Sequence, residues 1–331
     1  MDWSLLYFLI LGFAVQMYVL LDGFDLGIGI LYPWFESNDE RDHMMRSISH
    51  VWDGNETWLV FGGVVLMAAF PAAYSMVLST LYVPIIIMLI SLIFRGVAFE
   101  YRFKSNRSKH LWNIAFAAGS TVAAFAQGMI LGAIVQGVDP TQPVYDRLDW
   151  LSPFSILTGF AVMAGYALLA CCYLRMKSRG DIAAKAGHLG RRLVVIVMIA
   201  MALVSLWTVI VSPDIRDRWF SGTHLMLLMP LPIATCIAAW QLFRDLANPA
   251  HEQRPFYLAA LLFLFGFIGL VVSLFPYLIP NVLTIKEAAA PDSSLIFMLV
   301  GVCVFLPMVC LYTLWGYRIF SGKVEDFEEG Y

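Results

Sequence analysis

Charge is scarce in this chain. Of 331 residues, 21 are Lys or Arg and 24 are Asp or Glu, together 14%, while 60% are hydrophobic. A soluble domain carries about a quarter charged residues. The composition therefore excludes one and indicates an all-α integral membrane protein. A net charge of −3 excludes a nucleic-acid surface. The five cysteines (Cys171, Cys172, Cys236, Cys303 and Cys310) lie in apolar runs, without CxxC or Cys/His spacing. That excludes a disulfide framework and a zinc site. The first apolar run, MDWSLLYFLILG, lacks a basic leader and a small-residue cleavage site, so it reads as a retained helix. Histidine is missing at depth. His43, His50, His110, His188 and His251 fall in one set of loops or their edges, and His224 at a helix start on the other side. A haem inside a membrane needs axial ligands at depth. This chain alone reads as binding none, and no metal.

What the chain has is long apolar runs. A bilayer core of roughly 30 Å needs about 20 residues at 1.5 Å each. On that ruler about nine candidate spans centre on 4–32, 55–70, 76–101, 112–137, 150–174, 192–212, 223–243, 256–279 and 295–317. Pro71, in FPAAYS, separates the second from the third. With the N-terminus outside, 16 of the 21 basic residues fall in cytoplasmic loops or the tail. Arg147, Arg216, Arg218 and Lys286 fall outside, and Arg95 lies within a span. This split predicts an N-out, C-in multi-pass membrane protein. The tail GKVEDFEEGY reads as acidic, solvated and unstructured. Gly128 and Gly132 in AQGMILGAIVQG have GxxxG spacing, which predicts a helix-contact face.

Against this background the carboxylates stand out. YVLLDGFDLGIG sets Asp22 and Asp25 deep in the first span, and VWDGNETWLVFGG sets Asp53 and Glu56 at the start of the second. Each pair is three apart and shares a helix face. The third span adds Arg95 and Glu100. The orientation predicts that all six converge on the cytoplasmic third of the first three spans. One arginine neutralises one or two carboxylates; the others must be solvated or hold protons. One reading is a proton-uptake route open to the cytoplasm through Asp22, Asp25, Asp53, Glu56 and Glu100. The other is structural: Asp53 caps the second helix with Glu56 at its third position, and Arg95 locks the bundle by pairing an aspartate. The DGFDLGIG glycines suit close helix packing in both.

The strings LDGFDLGIGIL, HVWDGNETWLVFGG, FPAAYS, LIFRGVAFEYR, IVQG and SPFSILTGFAVMAGYALLACCYLRMKSRG follow one another as in subunit II of cytochrome bd quinol oxidase. The chain resembles the short, cyanide-insensitive-like form of that family over nearly its whole length. The resemblance implies two four-helix bundles (1–138 and 139–279), then a peripheral ninth helix and acidic tail (280–331). It implies a respiratory complex that oxidises quinol and reduces O2 to water, in which this chain is not catalytic alone. It implies a partner, subunit I, holding haem b, haem d and the quinol site, with membrane lipids around the pair. Some members add a small single-helix accessory subunit or a structural quinone. Asp53 and Asp22 match residues of the family's proton path. Trp58 matches a residue lining an apolar oxygen route, and Arg95 a basic residue near the subunit contact. Asp25, Glu56 and Glu100 rest on the residues alone. Two competing readings are a proton-coupled transporter and a purely structural assembly subunit.

Overall fold

A computed structural model describes residues 2–105, 107–137, 148 and 150–324, the side chain of Thr223 excepted. Arg147 and residues 325–331 of the acidic tail lie outside the described residues. The chain runs through α1 (Trp3–Leu31), a 3-10 turn (Tyr32–Trp34), α2 (Asn38–Ile48), α3 (Trp52–Ala69), α4 (Pro71–Thr80), α5 (Tyr82–Arg102) and α6 (Lys109–Gln136). The second half holds α7 (Pro153–Lys177), α8 (Gly180–Val211), α9 (Pro213–Phe220), α10 (Gly222–Leu228), α11 (Pro230–Asp245) and α12 (Arg254–Leu274). A short antiparallel hairpin, β1 (Tyr277–Ile279) with β2 (Leu283–Thr284), precedes α13 (Ile285–Ala288) and α14 (Asp292–Ile319).

Among the described residues, eight helical stretches are long and apolar enough to cross a membrane, or nine if α3 and α4 count as one span. That pair is bent by 118°. Pro71 at the first position of α4 ends α3 at Ala69, as its ring requires. The expected third span, 76–101, is therefore corrected: residues 71–80 form a separate helix and α5 starts at Tyr82. Alone, α3 has 18 residues, about 27 Å at 1.5 Å per residue. The expected sixth span starts 12 residues earlier than 192, because Gly180–Val211 is one continuous helix.

Small residues let the central helices approach. α1 packs on α3, α6 and α7, and α7 also packs on α8 and α12. A Cβ on Gly27 would overlap the Tyr166 carbonyl of α7. One on Gly128 or Gly132 would run into the α7 backbone at Thr158, Gly159 or Ser155. The GxxxG stripe is thus a helix contact, driven by close packing rather than by water exclusion. α14 packs on α3 and α1 and leaves Phe297, Val300, Val304, Phe305, Leu311, Leu314 and Trp315 exposed.

At the α2 end a second polar layer closes the bundle. Arg102 is fully buried, not solvated as its place in a basic loop suggested. Its Nη1 meets Asp42 of α2 at 2.6 Å and its Nε donates to Asn113 of α6 at 2.6 Å. Lys109 reaches Asp42 at 3.0 Å. Ser37 and Glu40 form a capping box that starts α2. The first residues of the tail are tied down rather than loose. Lys323 pairs with Glu252 at 2.7 Å and donates to the Ser178 carbonyl, and Lys177 donates to the Phe320 carbonyl.

Candidate functional site

The deep half of α1 turns one polar face toward α3, α5 and α6. Tyr18, Asp22 and Asp25 recur at four and three residues, so they line a single stripe. Opposite them α5 presents Arg95. Asp22, Asp25 and Arg95 have no exposed surface. One guanidinium meets three carboxyls: Nη1 lies 2.9 Å from Asp22 and 2.6 Å from Glu56, and Nη2 lies 3.5 Å from Asp25. The guanidinium carbon lies 5.6 and 5.8 Å from the ring centres of Trp52 and Phe99. Those rings stack on one another 5.0 Å apart. Arginine suits this place because its fork addresses several acceptors while its flat face rests on aromatics. A charge at mid-bilayer costs about 2.5–3.5 kcal/mol on insertion scales. The four groups are tolerable only because they meet each other.

Glu56 is the open side of the cluster, 29% exposed. Asp53, three residues earlier on the same helix, is exposed and accepts from the Gly54 amide at 2.8 Å. It does not touch Arg95 and does not cap α3. The N-cap is Val51, whose carbonyl accepts from Asn55, and Asp53 sits inside the first turn. The capping reading of Asp53 and Glu56 is thereby corrected. Glu100 is also outside the cluster. It is 64% exposed and pairs at 3.2 Å with Lys104, just past the end of α5. The cause is helix phase: five residues after Arg95 is about 140° around the axis, nearly the opposite face.

Two neutral networks that the sequence did not reveal converge on the cluster. Asn55 of α3 is buried. Its Nδ2 donates to Asp25 at 2.7 Å and to the Leu21 carbonyl at 3.4 Å. Its Oδ1 accepts from the Tyr317 hydroxyl of α14 at 2.9 Å. On the other flank Tyr166 donates to Gln127 at 2.8 Å, and Gln127 donates to Tyr18 at 2.6 Å. Tyr18 lies one turn before Asp22 along α1, and neither Asp22 oxygen accepts a hydrogen bond. Asn55 was overlooked because it carries no charge. Tyr317 is 262 residues away, and no local pattern marks it.

Comparison with known proteins places this geometry. The family profile described as cytochrome bd terminal oxidase subunit II matches residues 3–320. The chain belongs to this family. It is 28% identical to the cytochrome bd-I ubiquinol oxidase subunit 2 of Escherichia coli K12, over 98% of this chain and 95% of that protein. It is 26% identical to the cytochrome bd ubiquinol oxidase subunit 2 of Bacillus subtilis 168, over 98% of this chain and 97% of that protein. Its fold is similar to that of a chain of the bd oxidase from Geobacillus thermodenitrificans, with a TM-score of 0.81, 17% identity and coverage of 97% and 99%. The chain is thus an all-α, multi-pass subunit of a terminal quinol oxidase, an oxidoreductase complex that contains haem and has a second main subunit. The transporter reading is set aside.

Within this oxidase subunit, His50 and His251 lie in turns or loops, His110 and His224 near helix starts, His43 in the middle of the short α2 and His188 in the third turn of α8. His43, His224 and His251 are engaged by Ser178, Ser221 and Asp245, and His50 stacks on Phe320, so these four rings are not set out as axial ligands of a haem. Trp58 is fully buried between α1 and α14. Its Nε1 donates to Thr313 at 3.3 Å, and its ring meets Phe13 edge-on at 5.6 Å. An interfacial anchoring role for Trp58 is excluded by that burial.

Proposed function

We propose that this chain supplies the proton route, and part of the oxygen route, of a quinol-oxidising cytochrome bd complex whose haems and quinol site lie in the partner subunit. Reduction of O2 to two waters consumes four electrons and four protons. The partner handles the electrons, and this chain delivers protons. The observation that carries the reading is the graded cluster: Asp53 exposed, Glu56 partly covered, then Asp22 and Asp25 sealed around Arg95. Three carboxyls against one guanidinium leave up to two negative charges uncompensated. A dry site favours protons on the surplus carboxyls. The Asp53 mouth faces the cytoplasm in the N-out, C-in orientation that the basic loops favour. We assign α1, α3, α5 and α6 to one four-helix bundle and α7, α8, α11 and α12 to the other, with α14 outside both.

The test is quinol-driven oxygen consumption per haem in the assembled complex. Glu56→Gln keeps the shape but cannot ionise, and turnover should fall on the order of 10²-fold, as for a lost proton-transfer group. Asp53 is solvent-exposed and replaceable by water, so Asp53→Asn and Asp53→Ala should both show a smaller loss. A purely structural subunit predicts wild-type turnover in Glu56→Gln.

The oxygen route rests on Trp58 and its apolar neighbours Phe13, Ala14 and Phe61. Trp58→Phe should change the oxygen association rate and leave quinol affinity unchanged. Unchanged oxygen kinetics with a lower melting temperature would reduce Trp58 to packing, a role for which truncation to Ala typically costs about 3–5 kcal/mol.

A further inference from the structure

α8 leans on α7, and α11 leans on α12. A groove of about 470 Å³ is left between α8 and α11. Val195, Met198 and Ala202 of α8 line one wall, and Cys236, Trp240 and Phe243 of α11 line the other. Val195, Ala202, Cys236 and Trp240 are exposed, so the groove opens on the outer surface of the helices.

Both walls end on an arginine. Arg191, Val195, Met198 and Ala202 recur along one stripe of α8, and Cys236, Trp240 and Arg244 along one stripe of α11. The Arg191 guanidinium carbon lies 4.3 Å from the ring centre of Phe243, and that of Arg244 lies 4.9 Å from the ring centre of Trp240. The two cations therefore sit at the same end of the groove. The apolar spans read from the sequence, 192–212 and 223–243, each stop one residue short of these arginines. Both arginines thus lie at headgroup depth, on the side of the basic loops. Among the described residues no carboxylate pairs with either one, and Arg191 Nε is buried without a hydrogen-bond partner. Asp245, next to Arg244 in the chain, is turned to His251 at 2.8 Å and Arg254 at 3.4 Å.

We propose that this groove binds an anionic phospholipid, with an acyl chain in the apolar trough and the phosphate against Arg191 and Arg244. A guanidinium fork matches a phosphate through paired N–H donors. Basic pockets between membrane helices on the cytoplasmic side recognise such headgroups. An excess of basic residues in cytoplasmic loops accounts for a positive end. It does not place each guanidinium on the stripe that lines a groove. The lipid fills the gap between α8 and α11 and ties the two helices together.

The experiment uses the complete complex in mild detergent, supplied with phosphatidylglycerol or phosphatidylcholine. Native mass spectrometry counts the bound lipid, and the melting temperature is read in parallel. Wild type should retain one more phosphatidylglycerol than Arg191→Gln/Arg244→Gln, whose affinity for it should fall about 30-fold with the loss of two charges at the membrane surface. Ala202→Trp fills the groove, keeps both arginines and should lose the same lipid. Cys236→Phe fills it from the α11 side and should behave alike. Arg318→Gln removes an exposed cation from the last turn of α14 and should keep the lipid. Phosphatidylglycerol should raise the melting temperature of wild type and Arg318→Gln, and leave that of the groove variants unchanged. Equal retention of phosphatidylglycerol by wild type and the double arginine variant would overturn the proposal. So would equal retention of phosphatidylcholine and phosphatidylglycerol by wild type. A cross-link from Cys236 to another chain of the intact complex would also overturn it, because a protein helix would then occupy the groove.

Discussion

Replacing Arg95 by leucine should remove most of the assembled oxidase from the membrane. The side chain is completely buried and faces three carboxyls within 3.5 Å. Deleting one partner of a buried ion pair costs about 3–5 kcal/mol, because the remaining charge loses its compensation. Here the residue lost is the cation common to three acids. Arg95→Lys should recover only part of the loss, since an ammonium lacks the planar fork that addresses three acceptors beside the Trp52–Phe99 stack. The informative variant combines Arg95→Leu with Asp22→Asn, Asp25→Asn and Glu56→Gln. It should assemble, because a neutral cluster needs no counter-ion, and it should turn over poorly. Haem content of purified membranes reads the first property and oxygen consumption per haem the second. Equal assembly of Arg95→Leu and wild type would show that the three acids never carry charge.

Gly27→Val should be almost as damaging by a different route. A Cβ there would overlap the Tyr166 carbonyl and lie 2.7 Å from the Ala170 side chain, so α1 and α7 must separate. Overpacking typically costs about 1–3 kcal/mol, and a backbone obstacle cannot swing away as a side chain can. α1 carries Asp22 and Asp25, so the same shift should lengthen their contacts to Arg95 and lower turnover. Gly301→Ala on α14, beside which nothing lies within 4 Å, is the control and should leave the melting temperature unchanged. Thermal unfolding of the two complexes checks the contrast. Similar melting temperatures would mean that the central helices are not held at closest approach.

Much of this site was legible in the sequence, and the failures have identifiable causes. Asp22, Asp25, Glu56 and Arg95 were visible because ionisable groups in apolar runs are costly and must meet one another. Glu100 was misplaced because depth was considered without phase. The same consideration of phase would have found Arg102, which follows Arg95 by seven residues, about 20° off the same face. It proves buried on Asp42 and Asn113. Asp53 was correctly put near a helix start, but α3 begins at Trp52 and needs no side-chain cap from it. Pro71 announced a break, but the size of the bend, 118°, could not be read from a proline alone. Tyr317 depends on a contact between the second span and the last helix. Nothing in GYRIF distinguishes that tyrosine from an interfacial one.

Under the proposed function, protons reach the oxidase through the Glu56 side of the Arg95 cluster. The most direct measurement is single-turnover proton uptake, followed with a pH-sensitive dye, when the reduced complex meets oxygen. Wild type, Asp53→Asn and Glu56→Gln should be compared with their haem contents matched. The expected result is slow or absent uptake in Glu56→Gln, with electron transfer waiting on it, and near-normal uptake in Asp53→Asn. Uptake in Glu56→Gln at the wild-type rate and stoichiometry would contradict the account and leave the cluster a structural lock.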